Sequence, residues 1–93
     1  MNNRYKSFAN KKFWDLHDQL PKEIQRLADK SYELFSNNPG HSSLHFKKVG
    51  KKQPVYSVRI TEKYRSLGYV LNDNIYWFWI GNHDDYEQLI KAI

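Results

Sequence analysis

Arg59 and Arg65 lie near the ends of two β-rich runs, and His83 and Tyr86 follow a third, all within YSVRITEKYRSLGYVLNDNIYWFWIGNHDDY, Tyr56 to Tyr86. Two guanidiniums, an imidazole and a phenol form a set that can hold a phosphodiester. Such a set stabilises charge building on phosphoryl oxygens and moves protons near neutral pH. Each residue taken singly has a plainer role. Arginine at a strand end is commonly a solvated charge, a histidine can simply fill the first turn of a helix, and Tyr86 lies on an apolar stripe. The chemistry depends on whether the four converge.

Convergence depends on the register of two hairpins. With Thr61-Glu62-Lys63 as the first turn, Ile60 pairs with Tyr64 and Arg59 faces Arg65. Facing side chains lie about 5 Å apart at Cβ, and like charges there are unfavourable. An anion between them is expected, either a carboxylate such as Glu62 or a phosphate. With Asn72-Asp73-Asn74 as the second loop, Leu71 pairs with Ile75, Tyr69 with Trp77, Leu67 with Trp79 and Arg65 with Gly81. A glycine opposite an arginine is expected to leave space above the sheet. Asn82 then caps a final helix with Asp84 and Asp85 in its first turn. Tyr86, three residues beyond His83, falls on roughly the same side of that helix.

The elements that carry these residues are read from periodicity. Residues before Ser7 are polar, with room for one short edge strand around Tyr5. A helical pattern starts at Ser7, with Phe13, Leu16, His17 and Leu20 spaced i, i+3, i+4, i+7. Pro21 suits the first turn of a second helix. Its stripe of Ile24, Leu27, Ala28, Ser31 and Phe35 is stopped by Asn37-Asn38-Pro39-Gly40. After Gly40 the period becomes two. SSLHFKKV reads as a strand with Leu44 and Phe46 on one face, followed by VYSVRI, YRSLGYVL and IYWFWI. The last run does not alternate, which predicts a strand buried on both faces. The expected class is α+β: an N-terminal helical hairpin on a three- to four-stranded antiparallel sheet, with a short C-terminal helix.

Composition bounds the rest. The 93 residues predict a single domain over 1–93, and 40% hydrophobic with 16% aromatic content supplies a core. There is no cysteine, which removes disulfides and thiolate metal sites. A cytoplasmic location is expected. The sequence carries no apolar run near the roughly 20 residues of a membrane span and no signal-like start. His41 and His45 in HSSLH lack ligand-spaced partners, so no metal and no cofactor are expected. Net charge is +5, which favours an anionic partner. Lys47, Lys48, Lys51 and Lys52 in KKVGKK are either a solvated loop or contacts to a phosphate backbone.

The helical hairpin LPKEIQRLADKSYELFSNNPGHSSLHFKKV, the tract VRI…YRSLGY, the strand ending WIGNHDDY and the short last helix resemble the RelE/ParE superfamily of toxins from type II toxin–antitoxin modules. The resemblance runs from about Phe13 to Ile93; the strand that usually opens the fold could come only from Arg4 to Phe8. It implies a ribosome-dependent mRNA endoribonuclease that inhibits translation, with Arg59, Arg65, His83 and Tyr86 as catalytic residues. Lys47, Lys48, Lys51 and Lys52 would then contact RNA or the ribosome. It also implies a cognate antitoxin with an acidic, partly disordered segment. Members that bind DNA gyrase without catalysis, and inactive members, are the alternatives. Two departures stand out. Ser57 occupies a position where many nucleases of the family are basic, and no glutamate occurs between Leu44 and Lys52 to serve as base.

Overall fold

A computed structural model describes residues 5–93. Arg4, the first residue offered for an opening strand, lies outside the described residues. The chain runs β1 (Lys6–Ala9), α1 (Lys11–Asp18), α2 (Lys22–Asn37), a 3-10 turn (Ser42–Leu44), β2 (Lys47–Lys48), β3 (Val55–Thr61), β4 (Tyr64–Leu71), β5 (Asn74–Asn82) and α3 (His83–Ala92). The five strands form one sheet in the order β1-β5-β4-β3-β2. Strands β2 to β5 make the antiparallel meander that the alternation predicts, and β1 adds to its far edge in parallel with β5. The fold is α+β, with the helical hairpin and the short last helix where the periodicity places them.

Two local differences have physical causes. The helical pattern expected from Ser7 starts only at Lys11, because Ser7 to Ala9 pair with Ile75 to Trp77. Asn10 caps the helix instead, its side chain accepting from the Phe13 amide at 2.8 Å. The strand expected over SSLHFKKV is reduced to Lys47–Lys48, because His45 is left-handed at φ 47° and breaks the extended run. Leu44, 1% exposed, plugs the core from the 3-10 turn. His41 has a local job there, accepting from the Ser43 amide at 3.2 Å.

The sheet separates two apolar clusters. Phe35, Leu44, Val58, Ile75 and Trp77 pack under the helical hairpin. Val55, Leu67, Trp79 and Tyr86 pack with Leu89, Ile90 and Ile93 of and after α3. Strand β5 feeds both clusters, as its unbroken apolar run predicts.

Both hairpins contain a bulge. The first has a two-residue turn, with Thr61 paired to Tyr64, and Ile60 then bulges so that Arg59 faces Arg65. The second turns at Asn72-Asp73, with Leu71 paired to Asn74 and Asn72 at φ 56°. The expected pairs Leu71–Ile75 and Tyr69–Trp77 are therefore replaced by Val70–Ile75 and Tyr69–Tyr76. A bulge at Phe78 restores Leu67–Trp79 and Arg65–Gly81 at the other end.

Candidate functional site

Arg59 and Arg65 are direct cross-strand partners on the α3 face of the sheet. Arg65 is held from below and from the side. Its Nη1 donates to the carbonyls of Thr61 at 2.5 Å, Tyr64 at 3.0 Å and Glu62 at 3.1 Å, so the β3–β4 turn grips one edge of the guanidinium. Its Cζ lies 5.8 Å from the centre of the Tyr86 ring, a cation–π contact. An arginine has five N–H donors, and the donors on Nε and Nη2 are left for an incoming anion. The expected carboxylate between the arginines is absent: among the described residues neither guanidinium forms an ion pair, and Glu62 contributes only its backbone carbonyl. Burial, followed by the neighbouring Arg59 charge, lowers the Arg65 pKa; Tyr86, Glu87 and Glu62 partly offset this. A guanidinium remains cationic through such a shift.

Tyr86 is 5% exposed, and its hydroxyl donates to Ser57 Oγ at 3.3 Å. It therefore forms the bed on which Arg65 lies rather than an open phenol. Ser57, which stands where the resemblance leads one to expect a basic residue, anchors that bed. The space expected over Gly81 is filled as well. A Cβ there would fall 2.6 Å from Cζ2 of Trp79, whose indole covers the glycine.

His83 opens α3. Its amide donates to the Lys63 carbonyl at 2.7 Å, so the turn that grips Arg65 also fixes the start of the helix. Asn82 caps that helix as its type predicts, accepting from the Asp85 amide at 2.8 Å. The imidazole lies 5.8 Å from the Tyr86 ring, centre to centre. Its Nε2 is 3.1 Å from Oε1 of Glu87. The four predicted residues thus form one connected group at the turn end of the sheet. Sequence reasoning misses Glu87, although its i,i+4 spacing from His83 is a legible signal.

The four lysines divide. All are exposed. Lys47 pairs with Ser57 and so shares the face of Arg59 and Arg65, whereas Lys48 pairs with Tyr56 and faces the helical hairpin. Lys51 and Lys52 lie in the loop before β3, which the Lys51 amide ties to the Ile93 carbonyl at 2.9 Å. Cavities of about 460 and 410 Å³ lie against the helical hairpin and include none of the four site residues. His17 lines the first of them, with Nδ1 3.0 Å from Asp18 and Nε2 2.9 Å from Asp29. Burial alone would lower its pKa, but the two carboxylates outweigh it and raise it.

A family model described as the ParE-like toxin domain matches residues 22–88, a span that holds every site residue named above. The chain belongs to the ParE-like toxin family. No curated protein matches the toxin significantly. Among solved structures, the toxin resembles a chain of the RelB–RelE antitoxin–toxin complex from Methanococcus jannaschii, with a TM-score of 0.71 at 18% identity over 88% of this chain and 96% of that one. It resembles YafQ from E. coli with a TM-score of 0.71 at 8% identity, over 89% and 98% of the two chains. The YoeB/ParE toxin from Agrobacterium tumefaciens gives a TM-score of 0.65 at 13% identity, over 84% and 98%. At these identities the likeness establishes the fold, and the chemistry must be argued from the toxin's own side chains.

Proposed function

We propose that this ParE-like toxin is the toxin of a type II toxin–antitoxin module and inhibits translation by cutting mRNA on the ribosome. One observation carries the proposal: two facing guanidiniums, one of them gripped by three carbonyls, form no ion pair among the described residues, and the Tyr86 ring against Arg65 also lies against the His83 imidazole. This is a phosphodiester site.

RNA cleavage needs little more than this set. The 2′-oxygen bonds to phosphorus while the P–O5′ bond breaks, giving a 2′,3′-cyclic phosphate and a 5′-hydroxyl. His83 takes the 2′-hydroxyl proton, and the leaving 5′-oxygen takes one from water. The nucleophile belongs to the substrate, so alignment supplies much of the rate. Arg59 and Arg65 meet the charge that grows on the phosphoryl oxygens, a preorganised contribution of about 3–4 kcal/mol per donor group. Tyr86 holds Arg65 in place. Lys47 extends the positive face along β2, and Lys48, Lys51 and Lys52 contact phosphates of messenger or ribosome. The RNA is aligned by an outside template. The decoding ribosome provides one.

The cognate antitoxin presents an acidic, partly disordered segment that folds over the basic face and neutralises it. The toxin acts in the cytoplasm, where ribosomes are. The ParE-like description of the family model favours a second reading, non-catalytic inhibition of DNA gyrase, in which the arginines hold carboxylates. Induced expression separates the two. Mapped transcript ends that depend on translation and vanish in Arg65→Ala and His83→Ala support the nuclease. Altered plasmid topology without RNA cuts supports gyrase.

A further inference from the structure

We propose that Thr61 is a positioning residue of this site: its hydroxyl locks the central peptide of the β3–β4 turn, and through that peptide the grip that aims Arg65. The inference rests on the nuclease reading for its purpose, and on the hydrogen bonds of the turn for its geometry.

Every residue of the turn from Thr61 to Tyr64 lends its carbonyl to the site. Those of Thr61, Glu62 and Tyr64 accept from Nη1 of Arg65, and that of Lys63 accepts from the His83 amide at 2.7 Å. One turn therefore sets both a guanidinium and the start of the helix that carries the imidazole. A side chain braces the turn from within: the Lys63 amide donates to Thr61 Oγ1 at 3.1 Å. That amide shares one planar peptide unit with the Glu62 carbonyl. Pinning the N–H on one edge of the plane fixes the C=O on the opposite edge, and this is the carbonyl 3.1 Å from Arg65 Nη1.

The backbone of the turn calls for such a brace. Two-residue hairpin loops favour primed turns, which need positive φ at one or both central residues. Glu62 and Lys63 lack it, since His45 and Asn72 are the only non-glycine residues with positive φ among those described. The loop therefore closes β3 and β4 with an unprimed backbone, which matches the strand twist poorly, and the register shifts beside it at Ile60. Rotation of the central peptide is the motion that interconverts turn types. Here it would carry the Glu62 carbonyl away from Arg65 and loosen the grip that leaves Nε and Nη2 facing an incoming phosphate.

The test uses the full chain with Thr61→Val, which keeps the β-branched shape without the hydroxyl, and Thr61→Ser, which keeps the hydroxyl. Nitrogen NMR of the Arg65 guanidinium reads the grip. A guanidinium held along one edge turns slowly about its C–N bonds. Wild type and Thr61→Ser should therefore give separate Nη1 and Nη2 signals, and Thr61→Val a merged one. In ribosome-dependent cleavage Thr61→Val should lose on the order of tenfold. The loss should fall on kcat rather than KM, because Arg65 meets charge that forms only in the transition state. Thr61→Ser should keep most of the wild-type rate, and the urea midpoints of all three proteins should nearly coincide. Should Thr61→Val fail to fold, Thr61→Ala makes the same comparison. Merged signals in wild type, or separate ones in the variant without the hydroxyl, overturn the inference. So does an equal loss of rate in Thr61→Ser, or a loss that merely follows the urea midpoint. If the signals behave as expected but wild type cuts nothing, the positioning stands and the nuclease reading fails.

Discussion

Gly81→Ala tests whether the sheet beneath the arginines is as tightly filled as described. The added Cβ would lie 2.6 Å from Cζ2, 2.9 Å from Cη2 and 3.3 Å from Cε2 of Trp79. Carbon atoms prefer about 3.5–4.0 Å, so a rigid indole must retreat by about 1 Å. It has no easy retreat, because Trp79 packs with Val55, Leu67 and Tyr86. Overpacking of this kind costs about 1–3 kcal/mol. In a domain of this size each kcal/mol lowers Tm by about 4–8 °C, so a mid-range cost of about 2 kcal/mol predicts a drop of roughly 8–16 °C. Scanning calorimetry of the full chain measures it. Gly40→Ala is the control: its nearest new neighbour, Asn38 Oδ1, is 3.7 Å away, and its effect should stay within about 0.5 kcal/mol. Trimming the indole with Trp79→Leu should abolish the extra cost of the alanine in a double-mutant cycle. A Tm for Gly81→Ala equal to that of Gly40→Ala would refute the packing described around Arg65.

Three further outcomes follow from the same geometry. Tyr86→Phe removes the bond to Ser57 and should cost about 1 kcal/mol in urea unfolding, while cleavage stays within about threefold because phosphate charge is met by the arginines. The raised pKa of His17 means that folding favours its charged form. That contribution is full below the ordinary imidazole value of about 6.5 and fades as pH rises through the raised folded value. With Asp18 and Asp29 largely exposed it is worth at most about 1 kcal/mol, and His17→Gln should flatten this part of the stability–pH curve. Replacing Lys47 and Lys51 by alanine should reduce the slope of log affinity for single-stranded RNA against log salt by about 0.7 for each phosphate deprived of its lysine.

The meeting of Arg59 with Arg65 follows from the sequence only once a turn is assumed at Thr61-Glu62-Lys63, which has no Gly, Pro, Asn or Asp to mark it. The length of that turn is not legible there. A two-residue turn plus the bulged Ile60 brings the arginines to the same pairing as a three-residue turn without a bulge, and Phe78 does the same in the next hairpin. Alternation does not reveal a bulge, because the extra residue shows only once the partner strand is in place. Strand β1 is hidden for another reason. Four residues with two exposed side chains give too short a pattern, and their pairing to β5 joins segments far apart in sequence. The role of Tyr86 needs the sheet, since only the fold sets Ser57 under its hydroxyl. Alternation places His45 in a strand, whereas it closes the 3-10 turn Ser42–Leu44 with a left-handed backbone.

The nuclease reading is tested most directly by the ends of the RNA. Purified toxin is added to ribosomes translating a defined mRNA, beside Arg65→Ala and His83→Ala. Wild type should yield fragments ending in a 2′,3′-cyclic phosphate with a 5′-hydroxyl on the downstream piece, and the variants should lose on the order of a hundredfold or more in rate. Intact message with wild type, or cuts that leave a 5′-phosphate, would contradict the account.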